Sequence, residues 1–140
     1  MQIGVDTARA VETKRAFILD VDDIAATALQ FMLADELEVH VFDTSAAALA
    51  HPAAAGVDVV LLGAGLIEAE TPEVVALLRE AWPAVPLLAY GPAGDVSVQA
   101  ALALGARTSI PRPFQVETVR RKVNAQIGRR AVLDVAVARG

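Results

Sequence analysis

The chain has 140 residues, of which 55% are hydrophobic and 21% charged, and its formal net charge is −5 at pH 7. This composition is typical of one globular domain and excludes a disordered or fibrous protein. The absence of cysteine excludes disulfides and thiolate metal sites, and two histidines are too few to favour zinc chemistry. No apolar run reaches the ~18 residues of a membrane span, and charged residues stand where a signal peptide would be apolar, so we expect a cytoplasmic protein.

Five short apolar runs alternate with helical patterns along the chain. The predicted strands are residues 16–21, 38–42, 57–62, 86–90 and 107–110. The predicted helices are residues 24–34, 45–55, 72–81, 95–104 and 116–128. Because the strands are apolar on both faces, they are expected to form a parallel sheet with helices on each side. The sequence therefore predicts a three-layer α/β sandwich of five βα units around a five-stranded parallel sheet.

The spacing of apolar residues within the helices predicts which side chains enter the core. Phe31 and Met32 are expected to be buried in the first helix, and Trp82 is expected to anchor the end of the third. In the last helix one apolar stripe is expected, formed by Val116, Val119, Val123 and Ile127.

Charge is distributed unevenly along the chain. Residues 1–106 carry four basic and fifteen acidic side chains, whereas residues 107–140 carry eight basic and two acidic ones. We interpret this asymmetry as a basic last helix against acidic neighbours, because no recognition helix or interleaved aromatic residue supports contact with nucleic acid. The chain is divided into an N-terminal extension (1–14), a core domain (15–130) and a C-terminal tail or linker (131–140).

Three motifs lie at predicted strand ends, where open parallel sheets collect their functional groups. They are VDD at 21–23, DVVLL at 58–62 and the GA…PRPF stretch from 105 to 114. Together they resemble the receiver (CheY-like) domain of two-component response regulators, over roughly residues 15–130. The resemblance implies a (βα)5, flavodoxin-like fold and a signalling role without enzymatic activity.

The resemblance also implies roles for single residues. In the receiver family an acid pair binds Mg²⁺, an aspartate ending the third strand accepts a phosphoryl group, and a lysine precedes a proline after the fifth strand. Asp22 and Asp23 match the acid pair, while Arg112 and Pro113 match the Lys-Pro step, whose peptide bond we expect to be cis. The position of the phosphoryl acceptor falls on Gly63.

The chain departs from the family pattern at two strand ends. The family's Thr or Ser at the end of the fourth strand falls on Tyr90 when counted back from Arg112, and on Gly91 when counted forward from Pro86. Gly63 has no side chain, so an acyl phosphate cannot form there. The resemblance therefore indicates a degenerate phosphorylation pocket.

The loss of the acceptor carboxylate also affects the metal site. Mg²⁺ prefers several oxygen ligands in near-octahedral geometry, so binding by Asp22 and Asp23 is expected to be weak or absent. No other cofactor is expected. The Arg112 guanidinium is instead expected to reach Asp22 or Asp23 and to neutralise the pair without a metal.

We interpret the chain as an atypical pseudo-receiver, a phosphorylation-independent module that binds proteins in two-component signalling (phosphorelay). The expected partner is a histidine kinase, an output domain or another signalling protein, with a homodimer as a further expectation, and neither nucleic acid nor membrane is expected to bind. In the family, the region that corresponds to residues 95–128 often mediates dimerisation. Its basic side chains Arg107, Arg120 and Arg121 are the candidate interface.

The first strand also resembles the hhhhDxD motif of haloacid-dehalogenase-type phosphatases. In this alternative Asp20 is the nucleophile and Asp22 the general acid. Against it, Asp23-Ile24 replaces the usual Gly-Thr or Gly-Val of that motif, and neither of the two lysines lies on the intervening helices.

A third interpretation takes the LLGAG sequence at 61–65 as a dinucleotide-binding turn. The third glycine of that motif would fall on Glu68, and the next helix is expected only after Thr71, too far away to aim its N-terminus at a pyrophosphate. Gly63 and Gly65 are therefore expected in a loose loop.

Overall fold

Five parallel strands form a single sheet in the computed structural model, which describes residues 13–139, with side chains for residues 13–127. The strands are β1 (Arg15–Leu19), β2 (Glu38–Phe42), β3 (Val59–Gly63), β4 (Leu87–Pro92) and β5 (Thr108–Arg112). Their order is β2-β1-β3-β4-β5, and every neighbouring pair is parallel. The predicted α/β fold with a five-stranded parallel sheet is confirmed. Residues 1–12 of the predicted N-terminal extension lie outside the described residues.

Helices connect the strands and cover both faces of the sheet. They are α1 (Asp23–Leu33), α2 (Ser45–Ala50), α3 (Ala64–Glu70), α4 (Val74–Ala81), α5 (Val96–Ala103) and α6 (Val116–Arg139), with a 3₁₀ helix at Pro52–Gly56. The backbone of α6 continues through residues 131–139, the segment predicted as a tail or linker. Within residues 13–139, no helix combines the length and apolar composition needed to cross a membrane.

The core consists of two apolar layers, one on each face of the sheet. One layer lies between the sheet and the helices α2, α3, α4 and α5, and Phe17, Leu62 and Leu78 are among its fully buried side chains. The other lies between the sheet and the helices α1 and α6, and includes Leu29 and Val123. Burial of these side chains is the main favourable contribution to folding.

Two helix predictions need correction. The predicted helix 45–55 ends at Ala50 and restarts as the 3₁₀ helix, because Pro52 cannot donate a backbone hydrogen bond to the preceding turn. The expected loose loop after β3 is instead the helix α3, which begins directly at Ala64. Leu66 and Ile67 enter the core and hold α3 against the sheet.

The burial predictions for the helices were correct in part. Trp82 is buried, and its indole Nε1–H donates to the carbonyl oxygen of Ala54 at 3.1 Å. Phe31, in contrast, has 80% of its surface exposed, while Met32 packs at the edge of the core. Val116 is also exposed, although the rest of its predicted stripe is buried.

Candidate functional site

Three residues lie side by side where the central strands end. The register pairs Leu19 with Leu62, which places Asp20 beside Gly63, and it pairs Gly63 with Tyr90. Parallel strands in register point neighbouring side chains to the same face. Asp20 and Tyr90 therefore flank a glycine on one face of the sheet.

The Asp20 carboxyl group occupies the space above Gly63. A Cβ atom at position 63 would overlap Oδ2 and Cγ of Asp20 and would lie 2.7 Å from its Oδ1. A Cβ atom at Gly65 would lie 3.0 Å from the same Oδ1. The carboxyl group thus fills the volume that a side chain at the end of β3 would take.

Asp20 is 3% exposed, and both of its carboxyl oxygens accept hydrogen bonds. The Tyr90 hydroxyl donates to Oδ2 at 2.8 Å, and the backbone N–H of Asp22 donates to Oδ1 at 3.1 Å. Burial raises the pKa of Asp20 above its ordinary value of 3.8, and the Tyr90 hydrogen bond opposes that rise. Burial, together with the nearby Asp20 carboxylate, raises the pKa of Tyr90 far above its ordinary value.

Asp22 and Asp23 lie beyond Asp20, at the start of α1. Asp22 is the N-cap residue, and its Oδ1 accepts hydrogen bonds from the backbone N–H groups of Ile24 and Ala25 at 3.1 and 3.2 Å. This is the usual role of an aspartate before a helix. Asp23 is the first residue of α1 and is exposed.

Arg112 reaches the acidic loop from the end of β5. Its guanidinium Nη1 lies 3.5 Å from Asp22 Oδ2, so the predicted approach of Arg112 to the acid pair is confirmed for Asp22. Its Cζ atom lies 5.8 Å from the centroid of the Phe114 ring. The Arg112–Pro113 peptide bond is cis, as the resemblance predicts.

These contacts form a closed ring across three loops. The Tyr90 ring meets the Phe114 ring edge-on, with the centroids 5.6 Å apart. Phe114 then contacts Arg112, Arg112 pairs with Asp22, and the backbone of Asp22 bonds to Asp20, which accepts from Tyr90. The ends of β1, β4 and β5 are therefore linked by side chains together with the backbone N–H of Asp22.

Gly91 lies next to this ring but takes no part in it. A Cβ atom at Gly91 would lie 2.8 Å from Ala64 Cβ and 3.0 Å from Val98 Cγ2, on the side of the sheet that faces α3 and α5. Tyr90 and Gly91, the two positions predicted for the family's Thr or Ser, therefore face different sides of the sheet. Tyr90 faces Asp20, whereas Gly91 allows α3 to pack closely against β4.

The sequence matches no family model and no curated protein, but the structure resembles solved receiver domains. The signal receiver domain of an HD domain-containing protein from Pseudomonas fluorescens Pf-5 matches with a TM-score of 0.74 and 16% identity, over 86% of this chain and 99% of that one. A CheY-like receiver domain protein from Methanospirillum hungatei JF-1 matches with a TM-score of 0.67 and 18% identity, over 92% of this chain and 100% of that one. The beryllofluoride-activated NtrC4 receiver domain dimer matches with a TM-score of 0.70 and 18% identity, over 81% of this chain and 96% of that one.

The chain has the receiver fold. At these identities the likeness is evidence for the architecture alone, and the function has to be argued from the site.

The receiver fold implies a magnesium ion, but the carboxylates around Gly63 do not fit one. Asp20 and Asp23 line an open cavity of about 360 Å³ together with Asp43. Both oxygens of Asp20 are already hydrogen-bonded, Asp22 caps α1, and Gly63 supplies no oxygen ligand from a side chain. Among the described side chains, no group of three or more His, Asp or Glu residues is placed to hold a metal ion.

The three arginines of the predicted interface are not equivalent in this fold. Arg120 is engaged within the domain, because its Nε donates to the carbonyl oxygen of Met32 at 2.8 Å and its Nη2 pairs with Asp35 at 2.9 Å. Arg107 is exposed and lies at the long distance of 3.5 Å from Gln126 Oε1. Arg121 is exposed on α6.

Asp20, the carboxylate that lies closest to Gly63, was not predicted as part of the receiver-like site. The acid pair was matched to Asp22 and Asp23, and Asp20 was named only as the nucleophile of the phosphatase-type alternative. One signal could have identified it: Asp20 directly follows the four apolar residues of β1, and the first residue after a buried strand lies at the strand tip.

Proposed function

We propose that this chain is a receiver domain of two-component signal transduction that works without phosphorylation and acts by binding other proteins. The observation that carries the proposal is the end of β3, where Gly63 stands in place of an acceptor and the Asp20 carboxyl group fills the space above it. An acyl phosphate requires a carboxylate nucleophile that a phosphodonor can approach. Glycine offers no nucleophile, and Asp20 is 3% exposed with both oxygens bonded.

The ring of side chains supports a signalling role that does not depend on a metal. Arg112, Phe114, Tyr90 and Asp20 connect the loops at the ends of β1, β4 and β5 in the unmodified protein. A fixed arrangement of these loops fixes the surface beside them. The proposed module therefore presents its binding surface without being phosphorylated.

The phosphorylation claim is tested by intact-protein mass spectrometry after incubation with Mg²⁺ and acetyl phosphate. We expect an unmodified mass, while a conventional receiver domain treated in parallel gains one phosphoryl group. A phosphoryl group on any aspartate of this chain would refute the proposal. If tandem sequencing placed that group on Asp20, the haloacid-dehalogenase-type alternative would replace it.

The proposed binding surface is the face formed by α5, β5 and α6. Val96 is 83% exposed there and Leu104 is 39% exposed, and the cations Arg107 and Arg121 are also exposed. Apolar side chains rimmed by charge are typical of a protein interface. The similar NtrC4 receiver domain is a dimer in its beryllofluoride-activated form, and on that likeness we propose a second copy of this chain as one partner.

Sedimentation velocity of the full chain tests this surface. The variant Arg107→Glu/Arg121→Glu is expected to weaken self-association at least tenfold, because both charges reverse within the proposed interface. Lys14→Glu controls for the reversal of one exposed cation, since Lys14 lies outside this face. Equal association of all three proteins would exclude the face as a homodimer interface.

A further inference from the structure

We infer that the space above Gly63, which a side chain at the end of β3 would take, is filled from within: the Asp20 carboxyl group is its built-in occupant, and the Tyr90 hydroxyl is the group that positions it. The inference deepens the proposed function, on which it rests. It adds that the space of the missing acceptor at Gly63 is taken by a side chain of the neighbouring strand end.

The Asp20 carboxyl group leaves no room for a side chain at position 63. Three atoms of the carboxyl group lie where a Cβ atom at Gly63 would clash, at distances that real Cβ contacts do not show. Only a glycine is compatible with this position of Asp20. The volume above the end of β3 is thus filled by a carboxyl group that comes from the end of β1.

Tyr90 holds the Asp20 carboxyl group from the opposite side of Gly63. Tyr90 is 1% exposed, and its hydroxyl passes over Gly63 to donate to Asp20 Oδ2 at 2.8 Å. The Asp22 backbone holds the other oxygen, so the carboxyl group is fixed from two sides. Among the buried side-chain polar atoms of the described residues, none lacks a hydrogen-bond partner. Tyr90 acts as a positioning residue, since it holds the occupant through one hydrogen bond.

A coupling experiment on the full chain tests the occupancy. Gly63→Ala is made in the natural background and in an Asp20→Ala background, and thermal unfolding is measured for all four proteins. In the natural background the added methyl group overlaps the carboxyl group, so we expect Tm to fall by about 5–10 °C. In the Asp20→Ala background the overlapping atoms are gone, and the same change is expected to alter Tm by less than about 2 °C.

Gly91→Ala is the matched control in both backgrounds. Its Cβ atom would crowd Ala64 and Val98 and would not meet Asp20. We expect the same loss of Tm from this change with or without the Asp20 carboxyl group. An equal loss from Gly63→Ala in both backgrounds would overturn the inference. If Gly63→Ala does not fold alone, the inference requires that Asp20→Ala/Gly63→Ala folds, and failure of both refutes it.

Tyr90 gives an independent spectroscopic readout, because it is the only tyrosine in the chain. In the natural protein its hydroxyl is bonded to Asp20, and the carboxylate opposes its ionisation. The near-ultraviolet absorbance of Tyr90 at pH 7 should therefore differ between folded Asp20→Ala and the natural protein, because the hydroxyl has lost its carboxylate acceptor. Identical spectra would show that the hydroxyl does not hold the carboxyl group. Phosphorylation of the natural chain would refute the proposed function yet leave the coupling between positions 20 and 63 unchanged, so the two failures are distinguishable.

Discussion

Removal of the Tyr90 hydroxyl is the perturbation with the most specific expected result. Tyr90→Phe keeps the ring and its edge contact with Phe114, but it deletes the donor to Asp20 Oδ2. Both partners are almost fully buried, so water cannot replace the lost bond at little cost. A hydrogen bond to a charged group contributes roughly 1.5–3 kcal/mol, and we expect the free energy of unfolding to fall by about 2 kcal/mol at pH 7.

The pH dependence of this loss follows from the raised pKa of Asp20. A carboxyl whose pKa is higher in the folded than in the unfolded protein stabilises the fold below the unfolded value of 3.8, and this contribution disappears as the pH rises through the folded-state pKa. As the pH rises, a larger fraction of the buried carboxyl group is charged, and the charged form depends more strongly on the Tyr90 hydroxyl. Near pH 4 a larger fraction of Asp20 is protonated, so the loss from Tyr90→Phe should shrink to about 1 kcal/mol.

Urea unfolding at pH 7 and near pH 4 measures both losses. With a slope of roughly 2 kcal/mol per molar urea, a loss of 2 kcal/mol shifts the midpoint by about 1 M. The control is Tyr90→Phe in an Asp20→Asn background, where the neutral amide should make the loss independent of pH. A loss below about 0.5 kcal/mol at pH 7, or an equal loss at both pH values, would refute the reasoning.

Three further predictions concern other parts of the domain. Thr71 has a φ of 68°, so Thr71→Gly should relieve backbone strain and raise the free energy of unfolding by about 1 kcal/mol in urea experiments. The Arg15 Nε–H bond to Glu38, 2.8 Å long, lowers the pKa of Glu38 below its ordinary value of 4.5. The stabilisation that this bond gives the fold is present above pH 4.5 and is lost as the pH falls through the lower folded-state pKa of Glu38. The Tm of Glu38→Gln should therefore fall less on acidification than the Tm of the natural protein. Arg112→Ala should lower the free energy of unfolding by at most about 0.5 kcal/mol, because its ion pair with Asp22 is long and about two-fifths exposed on each side.

Each of these predictions has a result that would contradict it. If Thr71→Gly lowers the free energy of unfolding, the Thr71 side chain stabilises the fold by more than its backbone strain destabilises it. If the Tm of Glu38→Gln falls on acidification as much as that of the natural protein, Glu38 does not contribute to the acid dependence of stability. A loss above about 1.5 kcal/mol in Arg112→Ala would show that the ion pair is stronger than an exposed pair can be.

The architecture was predictable from the sequence because its signals are local and repeated. Each buried strand is a short apolar run, and the alternation of such runs with helical patterns indicates a parallel α/β sheet. The helix α3 was missed because it follows β3 without a loop. Gly63 is both the last residue of the strand and the N-cap of the helix, and it provides no side-chain cap that a reader of the sequence could recognise.

The candidate site was predictable only in part, because its key contact joins residues that are distant in sequence. The glycine at the end of β3 and the approach of Arg112 to Asp22 were both found from motif positions. The bond between Tyr90 and Asp20 spans 70 positions and depends on the register of three strands. No local pattern contains that information. The same limit explains Phe31, whose apolar character predicted burial although it lies on the exposed face of α1.

The central claim is that the pocket at the end of β3 is filled by the protein itself and takes no phosphoryl group. The most direct test is a two-dimensional ¹H–¹⁵N NMR spectrum of the natural chain, recorded with and without Mg²⁺ and beryllofluoride, which mimics a phosphoryl group on an aspartate. We predict that the amide signals of Gly63, Gly65 and Gly91 do not move. A second set of signals for these glycines, appearing only when both reagents are present, would contradict the account.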